Sequence, residues 1–174
     1  MVKAVCDSST LILLARVGVL RHLFLFVDEV LIPEAVFLEV VVAGKKANKL
    51  DAFIVEKEIE KGNIKVVTLG RKSFADGLMQ DFRIDLGEAE SIALSIERNV
   101  LFLGIDDKEA IKVCRVYGVP FLTALAFVVK LAKEKQIQKE EAALALNKLQ
   151  QICLFSDEVM KEALKEGGLN GRSD

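Results

Sequence analysis

A chain of 174 residues that is 52% hydrophobic can bury one ordinary core, and no Pro-, Gly- or Ser-rich stretch divides it, so one domain over 1–174 is expected. The formal net charge of −2 and a pI near 5.6 exclude a global basic field, so a polyanion would have to be held by local Lys and Arg or by metal. Three cysteines, Cys6, Cys114 and Cys153, make no C-x-x-C pair and sit in apolar stretches, as small core residues of a reducing compartment would. Asp7, Arg16 and Arg21 interrupt the apolar start before a signal-length run is complete, so a cytoplasmic chain with no membrane span is expected.

Residues 2–6 suit a buried central strand, and 9–17 a helix closed by Gly18. Residues 20–24 make a short apolar turn, and 30–33 a second strand ended by proline. Pro33 suits the first turn of the helix "PEAVFLEVVVAG", and Gly44 can stop it. A charged amphipathic helix over 46–62 leads to a strand at 64–67. "LGEAESIALSIERN" is a helix with Ala89, Ile92, Ala93 and Ile96 on one face. "VLFLGIDD" is a buried strand ending in acid, and 108–118 the helix after it. Residues 119–135 supply a short strand and a long helix, two more helices fall within 138–167, and 168–174 form a frayed tail. Alternating strand and helix predicts an α/β protein of three layers, α/β/α, with a central parallel sheet and helices on both faces. No internal repeat or low-complexity segment is present.

In such a sheet, ligands bind beyond the carboxyl ends of the strands where the strand order reverses. Asp7 follows the first strand, and Asp106 and Asp107 follow "VLFLGI". Asp7 and Asp107 also qualify as N-caps of the helices that come next. Glu39 interrupts the apolar "FLEVVV", where a carboxylate either points to water or has a task. Glu88 and Glu90 fall in the first turn of a helix, where acids meet the positive end of its dipole, and being two apart they point to different flanks. Each position has a structural explanation alone, but together they require four coincidences at the edge that serves as a site. Gathered carboxylates repel unless some are protonated or a cation is present, and oxygen-only ligation selects a hard ion, Mg²⁺ or Mn²⁺. A cation so held activates water and neutralises a phosphodiester, with no need of histidine. The single histidine, His22, lies near no acid motif, and no Walker A loop, G-x-G-x-x-G or H-E-x-x-H occurs.

"VCDSSTLILLA" resembles the "D-[ST]-S-x-L" start of PIN-domain proteins, and "IPEAVFLEVV", "LGEAESIALS" and "LFLGIDDKEAIKV" resemble, in order, the later acidic motifs of that family. The similarity runs from about residue 2 to 133 and is closest to the branch related to VapC-type toxin nucleases. It implies a central parallel sheet, an acidic pocket and a Mg²⁺- or Mn²⁺-dependent endoribonuclease. By position it makes Asp7, Glu39, Glu88 and Asp106 the acidic quartet that holds the metal and carries catalysis, with Ser9 adding a hydroxyl near the metal. Glu90 and Asp107 stand as alternatives to Glu88 and Asp106. Where the branch commonly has an arginine after its last acidic motif, this chain has Ile111.

The resemblance further implies a toxin inhibited by a small antitoxin protein that fills the acidic cleft, acting as a homodimer on RNA. Two alternatives within the fold are an RNA-processing nuclease without an antitoxin and a degenerate scaffold that binds a protein partner. A phosphoryl-accepting receiver domain is disfavoured: "VCDSS" lacks the N-terminal acid pair and "VPFLTALAF" the late lysine.

Overall fold

A computed structural model describes residues 1–153 and 155–169. Five strands, β1 (Lys3–Cys6), β2 (Glu29–Pro33), β3 (Ile64–Val67), β4 (Phe102–Gly104) and β5 (Phe121–Leu122), form a sheet in the order β3-β2-β1-β4-β5. Every pairing is parallel. The chain enters at the centre, winds outward through β2 and β3, and returns to the other side of β1 for β4 and β5. Strand order therefore reverses between β1 and β4, whose ends lie in register, Cys6 opposite Gly104. The Asp7 N–H continues that pairing by donating to the Gly104 carbonyl at 3.0 Å.

Alternation along the strands makes two cores. Ala4, Cys6, Val30, Ile32 and Phe102 face one layer, Val5, Leu31 and Leu103 the other, and nearly all are fully buried, as strands covered on both sides must be. The first layer holds α1 (Ser8–Val17), α4 (Leu50–Glu60), α8 (Ala124–Lys133), α9 (Lys139–Cys153) and α10 (Asp157–Glu166); the second holds α5 (Lys72–Phe82), α6 (Leu86–Arg98) and α7 (Lys108–Tyr117). The protein has the three-layer α/β/α fold expected of its sequence. Among the described residues no helix is long and apolar enough to cross a membrane.

Some local expectations are corrected. Pro33 is the extended N-cap rather than part of the first turn, and the helix beyond it does not stop at Gly44. It runs through α2 (Glu34–Phe37), a π-helical turn over Leu38–Ala43 and α3 (Gly44–Lys46), ending at Asn48 with φ 53°. Gly44 is a close-approach residue instead: a Cβ there would lie 2.8 Å from Ala52 Cβ, so its absence lets α4 pack against this helix. α5 is an element not expected from the sequence: it buries Ala75 and Leu78 and packs Phe74, Met79 and Phe82 on the second core, with Gly77 inside the helix. In α6, Ala89, Ile92 and Ala93 are buried as expected, but Ile96 is 38% exposed, on the wall of a surface pocket it shares with Arg71, Phe74 and Glu97. At the C-terminus the expected fraying fails at Leu169, whose N–H donates to Leu164 O at 2.8 Å while its side chain packs on the core. The rest of that tail, 170–174, lies outside the described residues.

Candidate active site

The N-termini of α1, α6, α7 and α8 meet at the carboxyl edge of the sheet; the first three carry aspartate caps, and that of α8 binds Asp106. Asp7 leaves β1 in extended conformation and caps α1: its Oδ1 accepts from Thr10 N at 2.8 Å and its Oδ2 from the Ser9 hydroxyl at 2.7 Å. Asp106 leaves the β4 edge and accepts from the Thr10 hydroxyl at 2.7 Å and from Ala124 N, the first residue of α8, at 3.0 Å. Thr10 thus ties the two aspartates together, its N–H on one and its O–H on the other. Gly104 lets Thr10 in, since a Cβ there would stand 2.9 Å from Thr10 Cγ2 and 3.0 Å from Cys6 Sγ.

The other side of the site comes from the π-helical turn and α6. Glu39 is exposed, and its Oε2 accepts from the Ser8 hydroxyl at 2.6 Å. Glu88 forms a capping box with Asp85: Glu88 N donates to Asp85 Oδ1 at 2.8 Å and Asp85 N to Glu88 Oε2 at 3.0 Å. Gly87 keeps the floor between them open, with the space of its missing Cβ bounded by Asp85 Oδ1, Glu39 Oε2 and Ser8 Oγ at 3.5 to 3.6 Å. Asp7, Ser8, Ser9, Ile12, Glu39, Asp85 and Glu88 line one cavity of about 200 Å³.

Four of the seven residues singled out from sequence, Asp7, Ser9, Glu39 and Glu88, therefore share a cavity, and Asp106 stands behind it through Thr10. Glu90 and Asp107 have other partners. Glu90 is buried against the start of α2, its Oε2 accepting from Ala35 N at 3.3 Å. Asp107 caps α7, accepting from Glu109 N at 2.8 Å and Ala110 N at 2.9 Å. Asp85, Ser8 and Thr10 are site residues that the acidic motifs do not single out. The Asp85-x-x-Glu88 spacing, a capping-box signature, could have found the first of them. Ile111 packs against the core of the second layer.

The electrostatics are those of acids short of cations. Burial pushes the Asp7 carboxyl up to about 7 despite its hydrogen bonds from Thr10 and Ser9, and the Asp106 charge adds to the rise. Glu88 is also raised to about 7, by burial first and then by the charges of Asp85, Asp107 and Glu39. Burial lifts Asp106 as well. Among the described residues no Lys or Arg forms an ion pair with any of these acids. Four converging helix N-termini supply partial positive charge, which offsets part of the repulsion.

An oxygen-only donor set with this charge deficit fits a hard divalent cation. In the arrangement described, no three His, Cys, Asp or Glu side chains among the described residues lie close enough to share one ion. Glu39 and Glu88 each use only Oε2 in their hydrogen bonds from the Ser8 hydroxyl and the Asp85 N–H, which leaves Oε1 of each as a ligand atom for a cation.

A family model described as DUF3368, a PIN domain, matches residues 3–168. No curated protein matches the chain.

Proposed function

The chain belongs to the PIN-domain family, and from that premise we propose that it is a Mg²⁺- or Mn²⁺-dependent endoribonuclease, the toxin of a VapC-like toxin–antitoxin pair. PIN domains are in general nucleases and usually use divalent metal ions, which supports the hydrolase reading. The observation that carries it here is the set of hydrogen-bonded carboxylates at the β1/β4 switch point, unpaired with Lys or Arg among the described residues and two of them raised to about 7. In this reading Asp7, Glu39, Glu88 and Asp106 hold the metal. A bound divalent cation would supply charge neutralisation at the phosphodiester and activate the attacking water. Asp7 and Asp106 are kept oriented by Thr10, and Ser9 shares its hydroxyl with Asp7. Glu39 and Glu88 face them from across the cavity and complete the oxygen set.

RNA as substrate and a small antitoxin as inhibitor rest on the resemblance of the four ordered motifs. The proposed working form is a cytoplasmic homodimer of one PIN-like unit per chain. A second reading, a PIN scaffold that binds a protein partner without cleaving, draws on Ile111. One experiment decides between them. Structured and unstructured RNAs are incubated with the protein in EDTA, Mg²⁺ and Mn²⁺, beside Asp7→Asn. Metal-dependent internal cleavage that vanishes in the variant is the expected result. Intact RNA under every condition favours the scaffold.

A further inference from the structure

α5 ends at Phe82, and Arg83 follows it at φ 55°, ψ 36°, its N–H donating to the Met79 carbonyl. This left-handed cap position suits glycine or asparagine, since a Cβ there crowds the next carbonyl at a cost of about 1 kcal/mol. The chain respects that preference where α1, α6 and α7 close on Gly18, Asn99 and Gly118. Arg83 departs from it, as does Lys135 beyond α8, with φ 55°. Arg83 is exposed, and among the described residues it makes no ion pair, although Asp81 and Asp85 stand two positions to either side. Only Ile84, which is buried, separates Arg83 from Asp85 on the cavity wall, so at most about 7 Å of backbone lies between them.

We infer that Arg83 is a substrate-contacting residue of this site, its guanidinium binding an RNA phosphate next to the one held over the carboxylates. The inference rests on the reading of the cavity as a ribonuclease site. An acidic cavity repels the phosphates that flank the reacting one, and a cation two residues along the chain from its wall offsets that repulsion for one of them. Arginine suits the task because its planar fork grips a phosphate in two places and stays charged at any working pH. The anchored two-residue link fixes where the side chain starts, and the cap position puts an arginine where folding alone prefers glycine.

The test uses that preference. Arg83→Gly removes the guanidinium and relieves the left-handed backbone together. Lys135→Gly relieves the same strain beyond the far end of α8, a ten-residue helix about 15 Å long whose other end is bound by Asp106. Binding of a fluorescein-labelled single-stranded RNA is followed by anisotropy in Ca²⁺ at several KCl concentrations, with thermal melts alongside. Arg83→Gly should bind about tenfold more weakly at low salt and flatten the log–log salt dependence by about 0.7, the loss of one phosphate contact, with Tm unchanged or raised. Arg83→Lys should keep the salt dependence and lose part of the affinity, and Lys135→Gly should bind as wild type. Wild-type affinity and salt dependence in Arg83→Gly overturn the inference, and so does a lowered Tm, which would make Arg83 a structural residue. If the wild type cleaves RNA with Mn²⁺ while Arg83→Gly binds unchanged, only this inference fails. If the wild type binds no RNA, the ribonuclease reading falls with it.

Discussion

Buried acids occur in two regions of this molecule, and their surroundings are opposite. On the flank where α4 packs under α1, Glu58 takes hydrogen bonds from Arg21 and Lys61, each at 2.9 Å, and from Asn63 at 2.8 Å, while Asp51 pairs with Arg16 at 3.3 Å. Burial would raise Glu58, but those donors and the Lys61 charge outweigh it and hold the carboxyl below its ordinary range. Glu29 sits between Lys3 and Lys65 in the same way. At the sheet edge Asp7, Glu88 and Asp106 take their hydrogen bonds from backbone N–H groups and hydroxyls, and all three are raised. Burial is common to both regions, so burial does not mark a site. What separates the sheet-edge acids is that, among the described residues, no Lys or Arg pairs with Asp7, Glu88 or Asp106.

The largest expected effect sets one region directly against the other. Asp7→Asn should lower metal-dependent RNA cleavage by about 10³-fold or more while the metal-free protein stays folded, because the change removes a charge that burial disfavours. Glu58→Gln should leave cleavage near wild type and lower stability by about 1–2 kcal/mol; Arg21 and Lys61 reach it from solvent, so the loss falls short of that for a dry ion pair. Cleavage assays and urea melts on both variants test the contrast, and the reverse pattern would mean the two sets of acids have been misassigned.

This contrast explains what could be read from the sequence. Alternating strand and helix periods gave the parallel sheet, and a parallel sheet fixes which strand ends meet, so Asp7 and Asp106 could be placed together from pattern alone. Cation partners are a different matter, since Arg16 and Arg21 meet Asp51 and Glu58 across some 35 residues of chain that no local period encodes. The same holds for Thr10, whose hydroxyl finds Asp106 only because Gly104 has no Cβ. Asp85 is legible in the sequence as the N-cap half of a capping box with Glu88. α5 carries an apolar stripe of Phe74, Ala75, Leu78, Met79 and Phe82 at helical spacing, which packs on the second core, so its helix was legible in the sequence.

The comparison sharpens within α6. Glu88 lines the cavity, whereas Glu90 satisfies the N-terminus of α2. Calorimetric titration of Mn²⁺ should show Glu88→Gln weakening binding by about tenfold or more and Glu90→Gln leaving it near wild type. Glu90→Gln should act on melting temperature instead, through the Ala35 contact. Equal losses of affinity in the two variants would place both side chains at the metal.

Gly104→Ala tests the link through Thr10. The added methyl meets Thr10 Cγ2 and Cys6 Sγ at 3.0 Å or less, so Thr10 must shift and its grip on Asp106 loosens. A stability loss of about 1–3 kcal/mol is expected from overpacking at a buried strand end, with a fall in activity larger than that stability loss explains. Activity unchanged in a destabilised Gly104→Ala would show that Thr10 does not position Asp106.

The smallest effect is a slope with pH, and its sign separates the two regions. Asp7 and Glu88 ionise in the unfolded chain near 3.8 and 4.5, but in the folded, metal-free protein near 7. Between those values the native state holds more protons than the unfolded one, so stability falls as pH rises through the window and levels off above about 7. Glu58 has the opposite sign. Its folded value is lowered, so its contribution is present above 4.5 and is lost only as pH drops below that. From pH 5 to 8 the slope therefore belongs to the sheet edge, and in EDTA the melting temperature should fall across that range by several degrees, on the order of 5 °C. Asp7→Asn should flatten the fall. Mn²⁺ should reverse it, raising Tm more at pH 8 than at pH 5, because protons and the cation compete for the same oxygens and only the ionised site binds metal well. A flat profile in EDTA would mean that these carboxyls are ionised throughout, and that the charge deficit at the sheet edge is met by solvent alone.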